Sequence, residues 1–185
     1  MNQFLVGVLL FVSLALPPVA DLLESIMIVH MHMQMPMIVF SGFLMANLYQ
    51  TKFPWFFEKW NRNGVPGILL FIVIMIYWTI PRTMDETLSI PSMEIFKFVS
   101  LAFLAGVPLR DSWKKLTSKG KNIIFAFFTI KYFGMGVLYI NTTIQLCNNY
   151  LLIDQITLGW GFVTTAICIL IYLVYVNFTD QSMYS

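Results

Sequence analysis

Charge is what this chain has least of: 9 acidic and 11 basic side chains make up only 11% of its 185 residues. Soluble domains carry about a quarter charged residues, and a net charge of +2 spread along the chain offers no footprint for nucleic acid. Cysteine is equally scarce. Cys147 and Cys168 are 21 positions apart, so neither a disulfide framework nor a Cys-x-x-Cys redox pair exists, and paired-thiolate copper carriers are excluded. No Gly-rich phosphate loop and no His-Glu-x-x-His zinc motif occurs, and Ser, His and Asp fall in no nucleophile motif, so no catalytic residue is assigned.

What is present is hydrophobic: 58% of the residues, in roughly six runs. These are Phe4–Ala20, Leu22–Leu48, Val65–Ile80, Ile90–Leu109, Ile123–Ile140 and Ile156–Phe178. A membrane-spanning helix needs about 20 apolar residues, and most of these runs qualify. The pattern predicts an all-α, polytopic helical bundle of about six transmembrane helices, forming one integral-membrane domain over residues 1–185 of a multi-pass cell-membrane protein. The uncharged Met-Asn-Gln start and the Pro17-Pro18 pair argue against reading the first run as a cleaved signal peptide.

Basic residues set the orientation. Lys52, Lys59 and Arg62 fall between the second and third runs, and Arg110, Lys114, Lys115, Lys119 and Lys121 between the fourth and fifth. The alternate connections hold Asp21, Glu24, Asp85, Glu86 and Asp154 with Arg82 as their one base. The positive-inside rule then puts both termini in the cytoplasm. Trp55, Trp60 and Trp113 fall at the inner interface and Trp78 and Trp160 at the outer one, as an aromatic belt requires.

The segment with the most chemistry is Glu24-Ser-Ile-Met-Ile-Val-His-Met-His-Met-Gln-Met-Pro-Met37, which holds both histidines and five of the twelve methionines. Thioether and imidazole are soft to intermediate ligands that suit copper, especially Cu(I). A polar group inside a span is by default a functional candidate. The residues expected to ligate are His30, His32, Met27, Met31, Met33 and Met35, with Glu24, Gln34, Asp85 and Glu86 attracting the ion or orienting the imidazoles. On an ideal helix His30 and His32 point about 160° apart, so a shared ion needs the helix to bend or unwind at Pro36. Packing is the plainer reading of methionine, and interhelical hydrogen bonding that of histidine. Glu94, Lys97 and Lys131 are expected to form a buried charge group, Glu94 and Lys97 pairing locally and Lys131 meeting Glu94 from a facing helix.

Two stretches, His30-Met-His-Met-Gln-Met-Pro-Met37 with Gly42, and Trp78-Thr-Ile-Pro-Arg-Thr-Met-Asp-Glu-Thr-Leu88 with the helix ending near Gly106 and Trp113, resemble the CtaG-type assembly factors of haem–copper oxidases. The resemblance spans about residues 26–113. It implies a membrane protein that helps deliver copper to an oxidase, with His30, His32 and Asp85 as the positions carried over. Family members bear histidine on the helix after the Asp turn, whereas this chain reads Met93-Glu94-Ile95-Phe96-Lys97 there.

Three readings follow. The first is a non-enzymatic copper carrier or assembly factor. The second is an accessory subunit of a membrane oxidase or monooxygenase complex, with no metal of its own. The third is a small haem- or quinone-linked redox protein using one histidine.

Overall fold

A computed structural model describes residues 3–179, and every regular element among them is helical. In chain order these are α1 (Gln3–Ala15), α2 (Pro17–Glu24), α3 (Met27–Lys52), α4 (Pro54–Trp60), α5 (Val65–Tyr77), α6 (Pro81–Ser89), α7 (Pro91–Trp113), α8 (Ser118–Asn141) and α9 (Leu152–Phe178). The all-α membrane class expected from composition is therefore the observed one. Four helices, α3, α7, α8 and α9, are long and apolar enough to cross a membrane. The number rises to six if α1 with α2, and α4 with α5, each form one bent span.

Proline explains most of the punctuation. Pro17, Pro54, Pro66, Pro81 and Pro91 each stand in the first turn of a helix, where the absent N–H is not missed. The other two prolines outside the Pro17-Pro18 pair, Pro36 and Pro108, lie inside long helices, and each stands two positions after the end of a widened π-helical stretch. In α3 this stretch is His30–Gln34, and in α7 it is Ser100–Gly106. The Met35 N–H bonds the His30 carbonyl and the Val107 N–H bonds the Ala102 carbonyl, five residues back in both cases. A proline ring clashes with the carbonyl four residues before it, and a wider turn relieves that clash without breaking the helix. A bend or unwinding at Pro36 is what a shared ion at His30 and His32 would need; the helix widens before it.

Two boundaries differ from the hydrophobic runs. The first run is bent by 70° between α1 and α2. The second is interrupted at Ile26, whose backbone is extended (φ −123°, ψ 119°). No glycine or proline marks that break, which is why the apolar pattern runs straight through it.

The helices form two compact units. Among the described residues, the first comprises 3–116 with Cys147–Tyr150, and the second comprises 117–146 and 151–179. In the first, α3 packs against α1 and α7. The α3–α7 crossing is backbone to backbone: a Cβ on Gly42 would fall on the Ala102 carbonyl, and one on Gly106 on the Val39 carbonyl. Ala102-x-x-x-Gly106 is the small-residue spacing that lets membrane helices approach closely. In the second unit, α8 and α9 form a helical hairpin with its own close approach at Gly136 and Gly159. Thr117 caps α8 by accepting the Gly120 N–H (3.2 Å), and Asp154 caps α9 by accepting the Leu151 N–H (3.2 Å).

Candidate functional site

Polar side chains from α2, α3, α7 and the 147–150 segment meet inside the first unit. The break at Ile26 turns the chain so that Glu24, at the end of α2, faces the first turns of α3. His30, Gln34 and Lys97 are each 0% exposed, and Glu24 and Tyr150 are nearly so. Lys97 donates to Glu24 Oε1, and Gln34 Nε2 donates to the same oxygen (2.9 Å). A buried ion pair must have its remaining hydrogen-bonding capacity met, since removing either partner strands a charge. The shared oxygen supplies part of that, and the Nζ position 3.4 Å from His30 Nε2 supplies more.

The hydrogen bonds determine the histidine tautomer. The Tyr150 hydroxyl donates to the Glu24 backbone carbonyl (2.7 Å), so its oxygen must accept from His30 Nδ1–H (2.9 Å). The proton on Nδ1 leaves Nε2 with the lone pair, which faces the Lys97 ammonium. Both ring nitrogens are thus engaged within the network. Gln34 Oε1 is left over as a buried acceptor with no hydrogen-bond partner among the described residues.

Two supports hold the network in place. Trp78 Nε1 donates to Ser100 Oγ (2.9 Å), and that hydroxyl donates on to the Lys97 carbonyl (3.3 Å), fixing the turn that carries the lysine. Asp85, on α6, secures the loop that delivers Tyr150. Its carboxylate accepts from the backbone N–H groups of Asn148 (2.6 Å) and Asn149 (3.2 Å), while the Asn149 amide also reaches the Asp85 carbonyl (3.3 Å).

The expected site residues therefore separate. Glu24, Gln34 and His30 come together. Met27, Met31 and Met35 are buried along α3, Met33 is exposed, and His32 is half-buried. Asp85 holds a loop by its backbone, and Glu86 pairs with the exposed Arg82 (3.1 Å) on its own helix. The local Glu94–Lys97 pair is corrected: Lys97 forms its ion pair with Glu24, 73 positions away in sequence. Lys131 belongs to the second unit, where its ammonium lies 5.0 Å from the Tyr132 ring centroid and 5.6 Å from that of Phe128.

Two things were missed from sequence. Tyr150 sits in a polar loop and carries no motif. A second buried cluster lies at the basic end, where the Asp111 carboxylate accepts from Asn61, from Lys115 (2.7 Å) and from Gln50 (3.2 Å). Asn61 also accepts the Gly67 N–H (2.9 Å) and donates to Ser112 (2.9 Å), binding the α4–α5 turn to the end of α7. Arg110 joins the same end by donating to the Phe43 carbonyl and to Gln3 Oε1 (both 2.9 Å).

A copper ion at His30 would need a nitrogen lone pair, and the one available is directed at a lysine ammonium. Among the described residues, no three His, Cys, Asp or Glu side chains gather into a group that could hold a metal ion. In this arrangement His30 itself offers copper no free nitrogen.

Fold and site together define a multi-pass helical membrane protein with an ion pair buried among its helices. Comparison with protein-family models, curated proteins and solved structures finds no match to the chain.

Proposed function

We propose that the protein is a non-catalytic accessory subunit of a larger membrane complex, and that the Glu24–Lys97–His30–Tyr150 network is its internal lock. The observation that carries this reading is the mutual consumption of those polar groups: carboxylate, ammonium, imidazole and phenol bond one another, and both imidazole nitrogens are taken. A residue assembly of this kind fixes helix positions and does no chemistry on a substrate. The apolar surface of α8 and α9 supplies what a subunit offers its neighbours, with Ile130, Phe133, Ile167 and Ile171 all exposed. The family resemblance points to a membrane oxidase as the class of complex.

A second reading, copper carriage, has one supporting observation: Met27, Met31 and Met35 are all buried along α3 next to His30. Thioethers alone hold Cu(I) weakly enough to release it.

Purification from native membranes in mild detergent, with metal analysis before and after Cu(I) loading, separates the two. An accessory subunit leaves the column in fixed ratio with a larger complex and stays copper-free after loading. About one copper per chain, lost in His30→Ala while the helical signal persists, overturns the subunit reading in favour of the carrier.

A further inference from the structure

The basic end of the first unit carries a feature that the buried network does not use. Helix α4 has no buried residue and makes an angle of 85° with α5. Its aromatic side chains Trp55, Phe56 and Trp60, with Phe53 just before it, are exposed. Beside them lies a cleft of about 430 Å³, lined by Tyr49, Phe53, Trp55, Phe56, Phe103 and Val107 together with Phe57. That volume is in the range of small-ligand sites, and the lining is almost wholly hydrocarbon and aromatic.

The rim has a sign. Between positions 52 and 62 the chain carries Lys52, Lys59 and Arg62 against the single acid Glu58. The Lys59 ammonium lies 5.0 Å from the Trp55 ring centroid and 5.7 Å from that of Trp60, so the charge is held over the aromatic wall. The same basic residues mark this end as cytoplasmic, where the membrane leaflet is anionic. An apolar cleft under a cationic rim, at the level of the headgroups, complements an amphiphile with a negative head and a hydrocarbon tail.

We propose that the α4 cleft binds one anionic phospholipid, its acyl chain among Tyr49, Phe56 and Phe103 and its phosphate toward Lys52, Lys59 and Arg62. A zwitterionic lipid fills the cleft equally well but gains nothing from the rim. The rim contribution near a membrane surface corresponds to about fivefold in affinity for each basic side chain.

The test uses the full chain in mixed micelles with phosphatidylglycerol or phosphatidylcholine whose acyl chains are brominated, since bromine quenches tryptophan on contact. Quenching due to Trp55 is the difference between the wild type and Trp55→Phe. The expected result is saturable quenching at a several-fold lower mole fraction of brominated phosphatidylglycerol than of brominated phosphatidylcholine. In the triple variant Lys52→Gln/Lys59→Gln/Arg62→Gln the two lipids become equivalent, while Trp55 remains quenchable. Both variants change exposed positions, so the helical signal should persist. Equal quenching by both lipids in the wild type, or a linear, unsaturable dependence on mole fraction, overturns the proposal. So does relief of the quenching by a neutral prenyl quinone but not by unbrominated phosphatidylglycerol, which would assign the cleft to a quinone.

Discussion

In α3 and α7, 50% and 44% of the most apolar stretch is buried, against 22% in α8 and 17% in α9. The two units also treat charge differently. The first surrounds Lys97 with a carboxylate, an imidazole and a neighbouring aromatic ring. The second holds Lys131 over two aromatic rings on its own helix. Lipid provides no hydrophobic drive between helices, so packing and polar contacts must hold a bundle together. The first unit adds a buried ion pair to its packing, while the second holds its hairpin by the glycine-lined approach, by ring contacts such as Tyr132–Phe162, and by Gln155 donating to the Tyr139 carbonyl. This contrast suggests a division of labour: a locked body, and a hairpin whose uncovered faces meet lipid or another protein.

The contrast breaks most severely at Lys97. Lys97→Ala strands the Glu24 carboxylate and removes the cation facing His30, and the loss of one partner from a buried pair costs about 3–5 kcal/mol. Glu24→Gln combined with Lys97→Met removes both charges and should recover most of that loss. Unfolding in a graded denaturing detergent measures both variants. If the single and double variants are equally unstable, the ion pair is not the lock.

Next in size is the α3–α7 crossing. Gly42→Val places side-chain carbons against the Ala102 carbonyl, where only backbone movement can make room. Overpacking of this kind typically costs about 1–3 kcal/mol, occasionally more. The same detergent titration should show a clear loss of stability, with the second unit's helical signal persisting if the units unfold separately.

These two sites differ in how far the sequence announced them. The membrane class and the helical content followed from composition and run length, since a long apolar stretch in lipid must satisfy its backbone internally. Glu24, Gln34 and His30 were picked out because polar groups inside an apolar run stand out. Their partners were not. Glu94 stands three positions before Lys97, and helical periodicity sees that neighbour but not one 73 positions away. Tyr150 gave no signal, because a tyrosine in an Asn-rich loop is ordinary until the fold brings Asp85 against that loop. The π-helical stretches were hidden for a related reason: proline announces a disturbance, but whether the helix kinks or widens is decided by the packing around it. Asp111 and Asn61 stand beside basic residues in the sequence, and only the closed α4–α5 turn makes them interior.

Asp85→Asn sharpens the comparison at intermediate size. The carboxylate accepts backbone N–H groups from Asn148 and Asn149, and hydrogen bonds to a charged acceptor contribute about 1.5–3 kcal/mol each before any compensation. The asparagine keeps one acceptor oxygen, so a loss of about 1–2 kcal/mol is expected. Because the loop delivers Tyr150, protease cleavage within residues 142–151 should accelerate in the variant. Unchanged cleavage would mean that Tyr150 holds the loop without help from Asp85.

The smallest expected effect tests the division of labour directly. Gly134, on α8, is exposed, and a Cβ there would meet nothing within 4 Å. Within the isolated chain Gly134→Ala should be neutral or gain up to about 1 kcal/mol of helix propensity. Gly134→Leu should be equally harmless to the isolated chain, since its side chain enters open space. The two variants separate only if another helix lies against this face. A membrane partner packed at glycine distance would be displaced by leucine and not by alanine, so co-purification should fall for Gly134→Leu while stability in detergent stays at the wild-type value. Loss of stability in the isolated leucine variant would show that the face is already covered by the chain itself. Unchanged stability with unchanged co-purification would leave the Gly134 face to lipid and move the search for a partner to the exposed α9 residues Ile167 and Ile171.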